Sequence, residues 1–312
     1  MSDWDRRRVP FKFQLSDLTL FSLEITLQMR AESLVDNIEA VASPGVPGDA
    51  LLEGSEGFVV RGMPVCGPLE VLTRVGGYLR YVPQQYQHCH IDLRQTFEEY
   101  QKKFSSKTRS TVNRKVKKFA DHCGGALNWR LYKEPEQMRE YFQLARQVSK
   151  LTYQERLLDA GLPDSEEFLR EAERWAAAGR VRAYILFDGA RPVSYLYCPV
   201  TDGVLSYSYV GYDPEYMDKS VGLVLQWMAV QQLFEEGKFL YFDFTEGSSD
   251  HKRLFSTHQR HCANVYFVRR GLRNAAILYA HAAMDRFSAW SGAVLTRYGL
   301  KSRLKRVLRF SQ

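Results

Sequence analysis

Cysteine is scarce in this chain of 312 residues, and the five cysteines include no CxxC pair. An odd number without such spacing argues against a secreted disulfide framework, so we expect a reducing, cytoplasmic location. The nearest approach to a metal motif is the run HQRHC at residues 258–262, together with His88 and His90. Neither group supplies the four closely spaced ligands of a structural zinc site, so we expect no metal.

Several motifs of common enzyme classes are also missing. There is no GxGxxG, no GxxxxGK[ST] and no GxSxG, which removes the signatures of dinucleotide binding, of a P-loop and of a serine hydrolase. Cys198 and Cys262 have no local signature of a nucleophile, and we expect them to be buried. The most apolar helical stretch, residues 275–284, is too short to cross a bilayer, and we expect no signal peptide at the N-terminus.

The composition is that of a globular protein that binds anions. Apolar residues make up 45% and charged residues 25% of a chain long enough for two domains. The formal net charge is +7 and the sequence pI is about 9.1. This balance favours a nucleotide cofactor, a phosphorylated substrate, RNA or an acidic membrane as partner, and it does not choose among them.

The second half of the chain has the clearest pattern of secondary structure. Residues 181–187, 191–200 and 204–212 are rich in β-forming residues and are separated by two Asp-Gly dipeptides, which predicts three antiparallel strands. An apolar helix is predicted over residues 223–234, ending at Gly237, and a strand over residues 239–244. Because a crossover helix joins parallel neighbours, this strand should lie parallel to the one before the helix.

The start of the crossover helix is a candidate anion site. Unpaired N–H groups and the helix dipole favour an anion there, Lys219 adds a charge, and Gly222 permits close approach to the backbone. The alternative is an ordinary helix start capped by Ser220.

The remaining pattern is less regular. Strands are predicted within residues 11–30, with a turn at Ser16-Asp17, and over residues 58–65, 78–93 and 263–270. Helices are predicted over residues 31–42, 97–119, 134–150, 164–178 and from residue 272 onward. The helix at 97–119 is strongly basic, should be capped by Thr96, and could break at Ser105-Ser106. Its charges, like those of residues 301–309, indicate either an anion-binding face or a solvated surface.

Five stretches, taken in order, resemble a known family. They are SSKTRSTVNRKVKKF (105–119), TYQERLLDAGLP (152–163), GYDP (211–214), SVG (220–222) and DFTEGSSDHK (243–252). Their combination resembles the FemAB-like and CelD-type branch of the GNAT acyltransferases. The resemblance implies an α/β fold (a mixed α+β sheet) with tandem GNAT-like domains and C-terminal helices. We place a degenerate half at 1–130, the acyltransferase domain at 131–270 and a helical extension at 271–312.

The resemblance also implies a reaction and its residues. An acyl group, acetyl or longer, would move from acyl-CoA to an amino or hydroxyl group of a polar acceptor, such as a cell-envelope or exopolysaccharide precursor. The implied catalytic residues are Lys252, as oxyanion stabiliser, Asp243, as orienting carboxylate, and Glu246 and His251. The implied donor site comprises Lys219, Ser220, Val221, Gly222, Leu223, Tyr209 and Val210. The implied acceptor site comprises Lys107, Arg109, Arg114, Tyr153, Gln154 and Arg156.

Two other functions stay open at this point. Fem-type enzymes use aminoacyl-tRNA as donor, and the basic segment at 102–118 would then hold RNA. Alternatively, the chain is a non-enzymatic module that binds RNA or the inner face of a membrane through the same basic residues. Val221 stands where the family often has proline, and His251 stands where an aromatic residue is usual.

Overall fold

The computed structural model describes residues 4–15, 18–36, 38–152, 161–247 and 249–297. The strands are β1 (Asp5–Leu15), β2 (Leu18–Ala31), β3 (Gly57–Pro64), β4 (Leu72–Val75), β5 (Tyr78–Asp92), β6 (Asn128–Tyr132), β7 (Val181–Asp188), β8 (Arg191–Thr201), β9 (Val204–Ser206), β10 (Tyr209–Tyr212), β11 (Tyr241–Asp243) and β12 (His258–Arg269). The helices are α1 (Phe97–Lys102), α2 (Ser106–His122), α3 (Pro135–Ser149), α4 (Glu166–Ala177), α5 (Val221–Glu236), α6 (Asp250–Phe255) and α7 (Leu272–Arg297), and a 3₁₀ turn spans Pro214–Lys219. This is the mixed α/β architecture with a C-terminal helix that the sequence predicts.

The described chain forms two compact units. The first combines the described parts of Met1–Tyr86 and His261–Gln312, and the second is Gln87–Arg260. These limits differ from the domain boundaries placed at residues 130 and 270, and that division into domains stays a prediction.

The first unit is a sheet with a hydrophobic cluster on each side. Strand β1 is antiparallel to β2, β2 is parallel to β3, and β3 is antiparallel to β12. On one side Phe11, Leu27 and Tyr81 pack with Leu278 of α7, and the other side is built around Phe58. The strands predicted within residues 11–30 are thereby confirmed, and the turn between them lies outside the described residues.

The helix predicted over residues 31–42 is wrong for the residues described there. The Glu32 N–H donates to the carbonyl of Arg61 at 2.8 Å, and the Val41 N–H donates to the carbonyl of Pro64 at 3.1 Å. Backbone groups that bond to the neighbouring strand β3 cannot also form a helical ladder. Pairing with a distant segment therefore overrides the local periodicity.

The second unit carries the crossover predicted from the sequence. Strands β6, β7, β8 and β9 pair in that order, all antiparallel, and β9 pairs with β11 in parallel. Strand β11 is also antiparallel to the end of β5, with Asp243 opposite His90. Both Asp-Gly turns form, since Gly189, Asp202 and Gly203 all have positive φ angles of 50° to 76°.

Both faces of this sheet are buried, which explains why residues 183–187 of β7 form an uninterrupted apolar run. Tyr184 and Leu186 face a cluster formed with α1, α2 and α5, whereas Ile185 and Tyr197 face a cluster formed with α3 and α4. Alternate residues of a strand point to opposite faces, so an uninterrupted apolar run fills two cores.

The strand predicted over residues 204–212 differs from the observed one because it is split. β9 pairs with the end of β8 at Thr201, and β10 pairs with β8 from Tyr197 back to Ser194. The interruption falls at residues 207–208, where the Tyr207 N–H donates instead to the carbonyl of Asp243 at 2.8 Å.

The caps of the helices follow the sequence closely. Thr96 and Glu99 form a reciprocal capping box at α1, and the Ser105 hydroxyl accepts from the Thr108 N–H to begin α2. The predicted break of the basic helix is thus confirmed. Gly237 ends α5 with φ 62°, in the left-handed conformation expected of a C-terminal cap.

Candidate active site

The start of α5 is formed by a left-handed residue. Ser220 has φ 56° and ψ 36°, and its carbonyl accepts the N–H groups of Leu223 and Val224 at 3.0 and 3.1 Å. Its hydroxyl makes no capping bond, which removes the ordinary serine cap as the explanation of this helix start. The N–H groups at Val221 and Gly222 come before the helical ladder, where an anion is favoured.

The residues around this helix start divide into backbone donors and packing side chains. A Cβ on Gly222 would lie 3.3 Å from the ring of Tyr212, so glycine lets the chain pass close to that ring. The Lys219 ammonium lies 5.1 Å from the ring centroid of Tyr216, above the 3₁₀ turn. Val221 is fully buried and contributes to the core.

The other predicted donor residues lie on β10 or follow Gly222. Tyr209 is half-buried and its ring contacts that of Phe168 at 5.6 Å. Val210 and Leu223 are half-buried against the core shared by α1, α2 and α5.

Helix α2 lies beside this helix start and is basic. The Lys118 ammonium donates to the carbonyl of Asp218 at 3.3 Å, and the ring of Phe119 contacts Tyr216 at 6.4 Å. Within the described part of the chain, no carboxylate lies at ion-pairing distance from Lys107, Arg109, Arg114, Lys115 or Lys117. A helix with several cations that have no carboxylate partner is suited to binding a multiply charged anion.

Asp243 lies at the end of β11 and accepts two hydrogen bonds on one oxygen. The Nε2 of His88 is 2.5 Å from Oδ1, and the Thr245 N–H donates to the same atom at 2.7 Å. Both the carboxylate and the imidazole are largely buried, with side-chain exposures of 15% and 8%. Thr245 has φ 60°, a strained conformation for a β-branched residue, and it places this N–H against the carboxylate.

His251 lies in α6 and is held against α5. Its Nε2 is 2.6 Å from Oε1 of Gln226, a residue that is 2% exposed. Because an amide oxygen only accepts, Nε2 carries the proton and Nδ1 keeps its lone pair. Burial, with help from the charges of Lys115 and Lys252, lowers the pKa of His251 below 6.5. The imidazole is therefore neutral at pH 7.

Lys252 follows His251 and is half-buried. Its ammonium donates to the carbonyl of Glu246 at 2.7 Å. Burial lowers its pKa from 10.5, while the charges of Asp243 and Glu246 oppose that shift. Because the charge of Asp243 acts on Lys252, these two side chains lie near each other, and their catalytic roles stay a prediction.

The structure brings together part of the predicted residue set. Asp243, Glu246, His251 and Lys252 lie together around the turn between β11 and α6. Lys107, Arg109 and Arg114 lie on α2, whereas Tyr153, Gln154 and Arg156 lie outside the described residues.

Three side chains of this site are not among the site residues predicted from the sequence. They are His88, Gln226 and Lys115. His88 was considered only as half of a metal pair, although its position two residues before His90 on a strand already placed both on one face. Of the described residues, no group of three or more His, Cys, Asp or Glu side chains is arranged to hold a metal ion. Cys198 and Cys262 are buried, as predicted.

Comparison with known proteins identifies a family domain within the chain. Residues 106–253 match the family model described as an acetyltransferase (GNAT) domain. No curated protein matches the chain. Among solved structures, the chain is similar to FemX, at 10% identity over 86% of this chain and 88% of that one, with a TM-score of 0.48. It is also similar to L-PGS from Bacillus licheniformis, at 14% identity over 72% of each chain, with a TM-score of 0.43.

A third structure is a smaller protein. The ribosomal-protein-S18-alanine N-acetyltransferase from Escherichia coli is 12% identical over 46% of this chain and 97% of that one, with a TM-score of 0.28. Of the described helices, none is long and apolar enough to cross a membrane. The matched segment runs from the basic helix α2 into helix α6, which carries Lys252, and it contains the whole crossover from β9 through α5 to β11. The chain carries an acetyltransferase domain of the GNAT superfamily and is an acyltransferase.

Proposed function

We propose that the protein transfers an acyl group from acyl-CoA to an amino or hydroxyl group of a polar acceptor. The observation that carries this proposal is the position of His251, which lies in α6 and contacts Gln226 of α5. Gln226, which holds the imidazole, is five residues from Val221, or about 7.5 Å along the helix axis. The candidate base, His251, is therefore close enough to the start of α5 for one ligand to contact both.

The residues around the start of α5 fit the phosphates of CoA. The helix N-terminus supplies backbone N–H donors, Gly222 leaves room for close approach, and α2 supplies cations without carboxylate partners. When bound, acyl-CoA would supply a thioester whose carbonyl carbon accepts the acceptor's nitrogen or oxygen. The new C–N or C–O bond forms as the C–S bond breaks, and CoA leaves as the thiol.

The neighbouring side chains suit the proton and charge movements of that transfer. Neutral His251 offers Nδ1 to take the proton from the attacking amine or hydroxyl. The Lys252 ammonium is the cation available to stabilise negative charge on the carbonyl oxygen. Asp243, which His88 and the Thr245 N–H hold in position, would orient the acceptor. Asp250 is a weaker candidate base, because it is exposed and paired with Arg253.

The donor is tested by ligand-dependent stability. A ligand that binds only the folded state raises the free energy of unfolding, by about 2.7 kcal/mol at 100 times Kd, and therefore raises Tm. We expect acetyl-CoA or a long-chain acyl-CoA to raise Tm, and Lys115→Gln to weaken the effect. A protein whose Tm responds to no thioester at millimolar concentration would rule out acyl-CoA as donor.

Aminoacyl-tRNA is the second candidate donor, and the same unpaired cations of α2 favour it. Binding through phosphates releases counterions, so tRNA affinity would fall steeply with salt. Charged tRNA that binds with a steep salt slope and forms product without CoA would establish this alternative. Acyl transfer from CoA with no effect of tRNA would exclude it.

The proposed location is the cytoplasm, with peripheral contact at the inner face of a membrane, and a cell-envelope or exopolysaccharide precursor is the proposed acceptor class. The supporting observation lies in the first unit, where Leu20, Phe21 and Leu23 of β2 are 40% to 51% exposed and Trp290 of α7 is 62% exposed. The paired strand β1 carries three exposed arginines, Arg6, Arg7 and Arg8, whose charge complements anionic lipid. We expect sedimentation with vesicles that contain phosphatidylglycerol, and loss of it in Phe21→Ser/Trp290→Ser. Equal binding by the wild type and this variant would remove the membrane assignment.

A further inference from the structure

A group of basic side chains lies beside Asp243 and is not used by the proposed transfer. His90 faces Asp243 across the β5–β11 pair, and its ring lies 6.5 Å from that of His88. The ring of His258 stacks on His90 at 5.4 Å with an interplanar angle of 12°. The ring of Tyr241 contacts the edge of the same imidazole at 5.2 Å.

Arg260 is a further basic residue of this group and lies on β12, the strand that also carries His258. It stands two residues after His258, and alternate residues of a strand lie on one face. Its charge also acts on His90, whose pKa is lowered to about 4 chiefly by burial and further by the charges of His258, His88 and Arg260. Arg260 therefore lies close to the two stacked imidazoles.

Among the described residues, three polar atoms of this group lack hydrogen-bond partners, whereas Nδ1 of His258 lies 2.9 Å from the hydroxyl of Thr257. Nε and Nη2 of Arg260 and Nδ1 of His90 are buried, and none has a hydrogen-bond partner in the described part of the chain. A guanidinium stays charged at neutral pH, and a buried charge without a partner is strongly disfavoured. Buried polar atoms without hydrogen-bond partners indicate that a ligand forms hydrogen bonds with them.

The nearby carboxylates are already engaged elsewhere. Asp92 accepts Nε and Nη2 of Arg94 at 2.9 and 2.6 Å, and that guanidinium in turn covers the ring of Tyr241. Asp243 is held by His88 and by a backbone N–H. Neither carboxylate forms an ion pair with Arg260, so the positive charge there is left for an external anion.

We infer that Arg260, His90 and His258 form an anion-binding subsite that seats a phosphate or carboxylate group of the acceptor. The inference rests on the proposed function, because it takes the anion to belong to the molecule that receives the acyl group. The subsite adjoins Asp243 through His88 and His90, so an acceptor anchored there by its anion would present its amine or hydroxyl toward Asp243 and Lys252. This assigns the acceptor to the anionic class.

The test uses inorganic phosphate and acetate as separate probes, with sodium chloride at matched ionic strength as reference. We expect one or both to raise Tm of the wild type and Arg260→Gln to weaken the binding by about tenfold or more, since hydrogen bonds to a charged group are involved. Phosphate acting alone assigns a phosphorylated acceptor, and acetate acting alone assigns a carboxylate. Arg130→Gln removes an exposed strand arginine of the same unit and should behave as the wild type.

A second variant separates this subsite from the donor site. Lys115→Gln changes a cation of α2, so loss of the phosphate effect in that variant, with full binding by Arg260→Gln, would overturn the inference. No effect of either anion on the wild type would also overturn it. The two proposals can fail separately. If only Arg260→Gln loses phosphate binding and no thioester raises Tm of the wild type, the subsite is supported and acyl-CoA is excluded as the donor.

A measurement on the wild type guards against a variant that does not fold. In NMR titrations with phosphate, the imidazole Cε1–H signals of His90 and His258 should shift together, whereas the signal of exposed His122 should not. Unchanged His90 and His258 signals at saturating phosphate would contradict the inference. We further expect Arg260→Gln to have a higher Tm than the wild type without added anion, because it removes an unpaired buried charge.

Discussion

Lys252→Met should abolish most of the activity while leaving the fold as stable as before. In the folded protein the ammonium donates to the carbonyl of Glu246 at 2.7 Å, a bond worth at most about 1.5–3 kcal/mol for a charged donor. Against this, burial disfavours the charge, as its lowered pKa shows, and methionine fills a similar volume without that cost. The two effects oppose each other, so we expect a net change within about 1 kcal/mol in the free energy of unfolding.

The effect on catalysis should be much larger. Removing one group that stabilises a developing oxyanion typically lowers kcat by about 10²–10³-fold. Thiol release from acyl-CoA measures kcat, and guanidinium denaturation measures stability. The pKa of Lys252 is lower in the folded protein than the unfolded value of 10.5, so the unfolded state binds the proton more tightly. The free energy of unfolding of the wild type should therefore increase relative to that of Lys252→Met as the pH rises from the lowered pKa of the folded protein to 10.5.

Lys103→Met is the matched control. Lys103 is exposed as a residue, but its ammonium likewise donates to a carbonyl, that of Leu254 at 2.5 Å, and desolvation of this group lowers its pKa to about 8. Lys103→Met should change the free energy of unfolding by about as much as Lys252→Met does, and it should keep the wild-type kcat. If Lys252→Met retains wild-type kcat, or if both variants lose activity equally, Lys252 has no special part in the reaction.

Three further predictions concern single side chains. Gly211→Ala places a Cβ 2.5 Å from a buried tyrosine ring, so it should cost about 1–3 kcal/mol in denaturant unfolding. Glu236→Gln breaks the buried pair with Arg182 and should cost about 3 kcal/mol. Although burial raises the pKa of Glu236, hydrogen bonds from Arg182 and a glutamine lower it to about 2, so this contribution is present above pH 4.5 and is lost as the pH falls towards 2. Gln226→Leu removes the oxygen that accepts the hydrogen bond from His251. It should lower kcat by part of the rate enhancement of about 10²–10⁴-fold that a general base contributes.

Each of these has its own control. Gly67→Ala has open space around the new Cβ and should leave stability unchanged. Glu140→Gln alters an exposed ion pair with Arg130 and should cost well under about 1 kcal/mol. In Gln226→Leu, a pH–rate profile identical to the wild type's would contradict the role of His251, because its acidic limb should report the imidazole and lie below pH 6.5.

The parts of the fold that were predicted correctly depend on neighbouring residues. The Asp-Gly turns, the caps at Thr96 and Ser105 and the glycine at position 237 each act within a few residues of themselves. The helix predicted over residues 31–42 was wrong because its backbone groups find partners on β3, about 25 residues further along the chain. No local pattern reports such a contact.

The same distinction explains which site residues were found. Asp243, Glu246, His251 and Lys252 lie in one short stretch, so a single motif included them. His88 is 155 residues from Asp243, and their contact depends on β5 lying beside β11. The proton position on His251 likewise depends on Gln226, a glutamine that the sequence places only within an apolar helix.

The split of the third strand explains why the candidate site lies where it does. Up to Ser206 the strand pairs on both sides, with β8 and with β11, and the Tyr207 N–H makes the last bond to the carbonyl of Asp243. Beyond this point β10 pairs with β8, and in the described chain it has no strand on its other side. A strand paired on one side leaves backbone N–H and C=O groups available to a ligand. β10 leads through the 3₁₀ turn to α5, while β11 leads through Asp243 to His251 and Lys252. We therefore expect the proposed donor to bind along this edge of β10, between the candidate phosphate site and the candidate reacting groups.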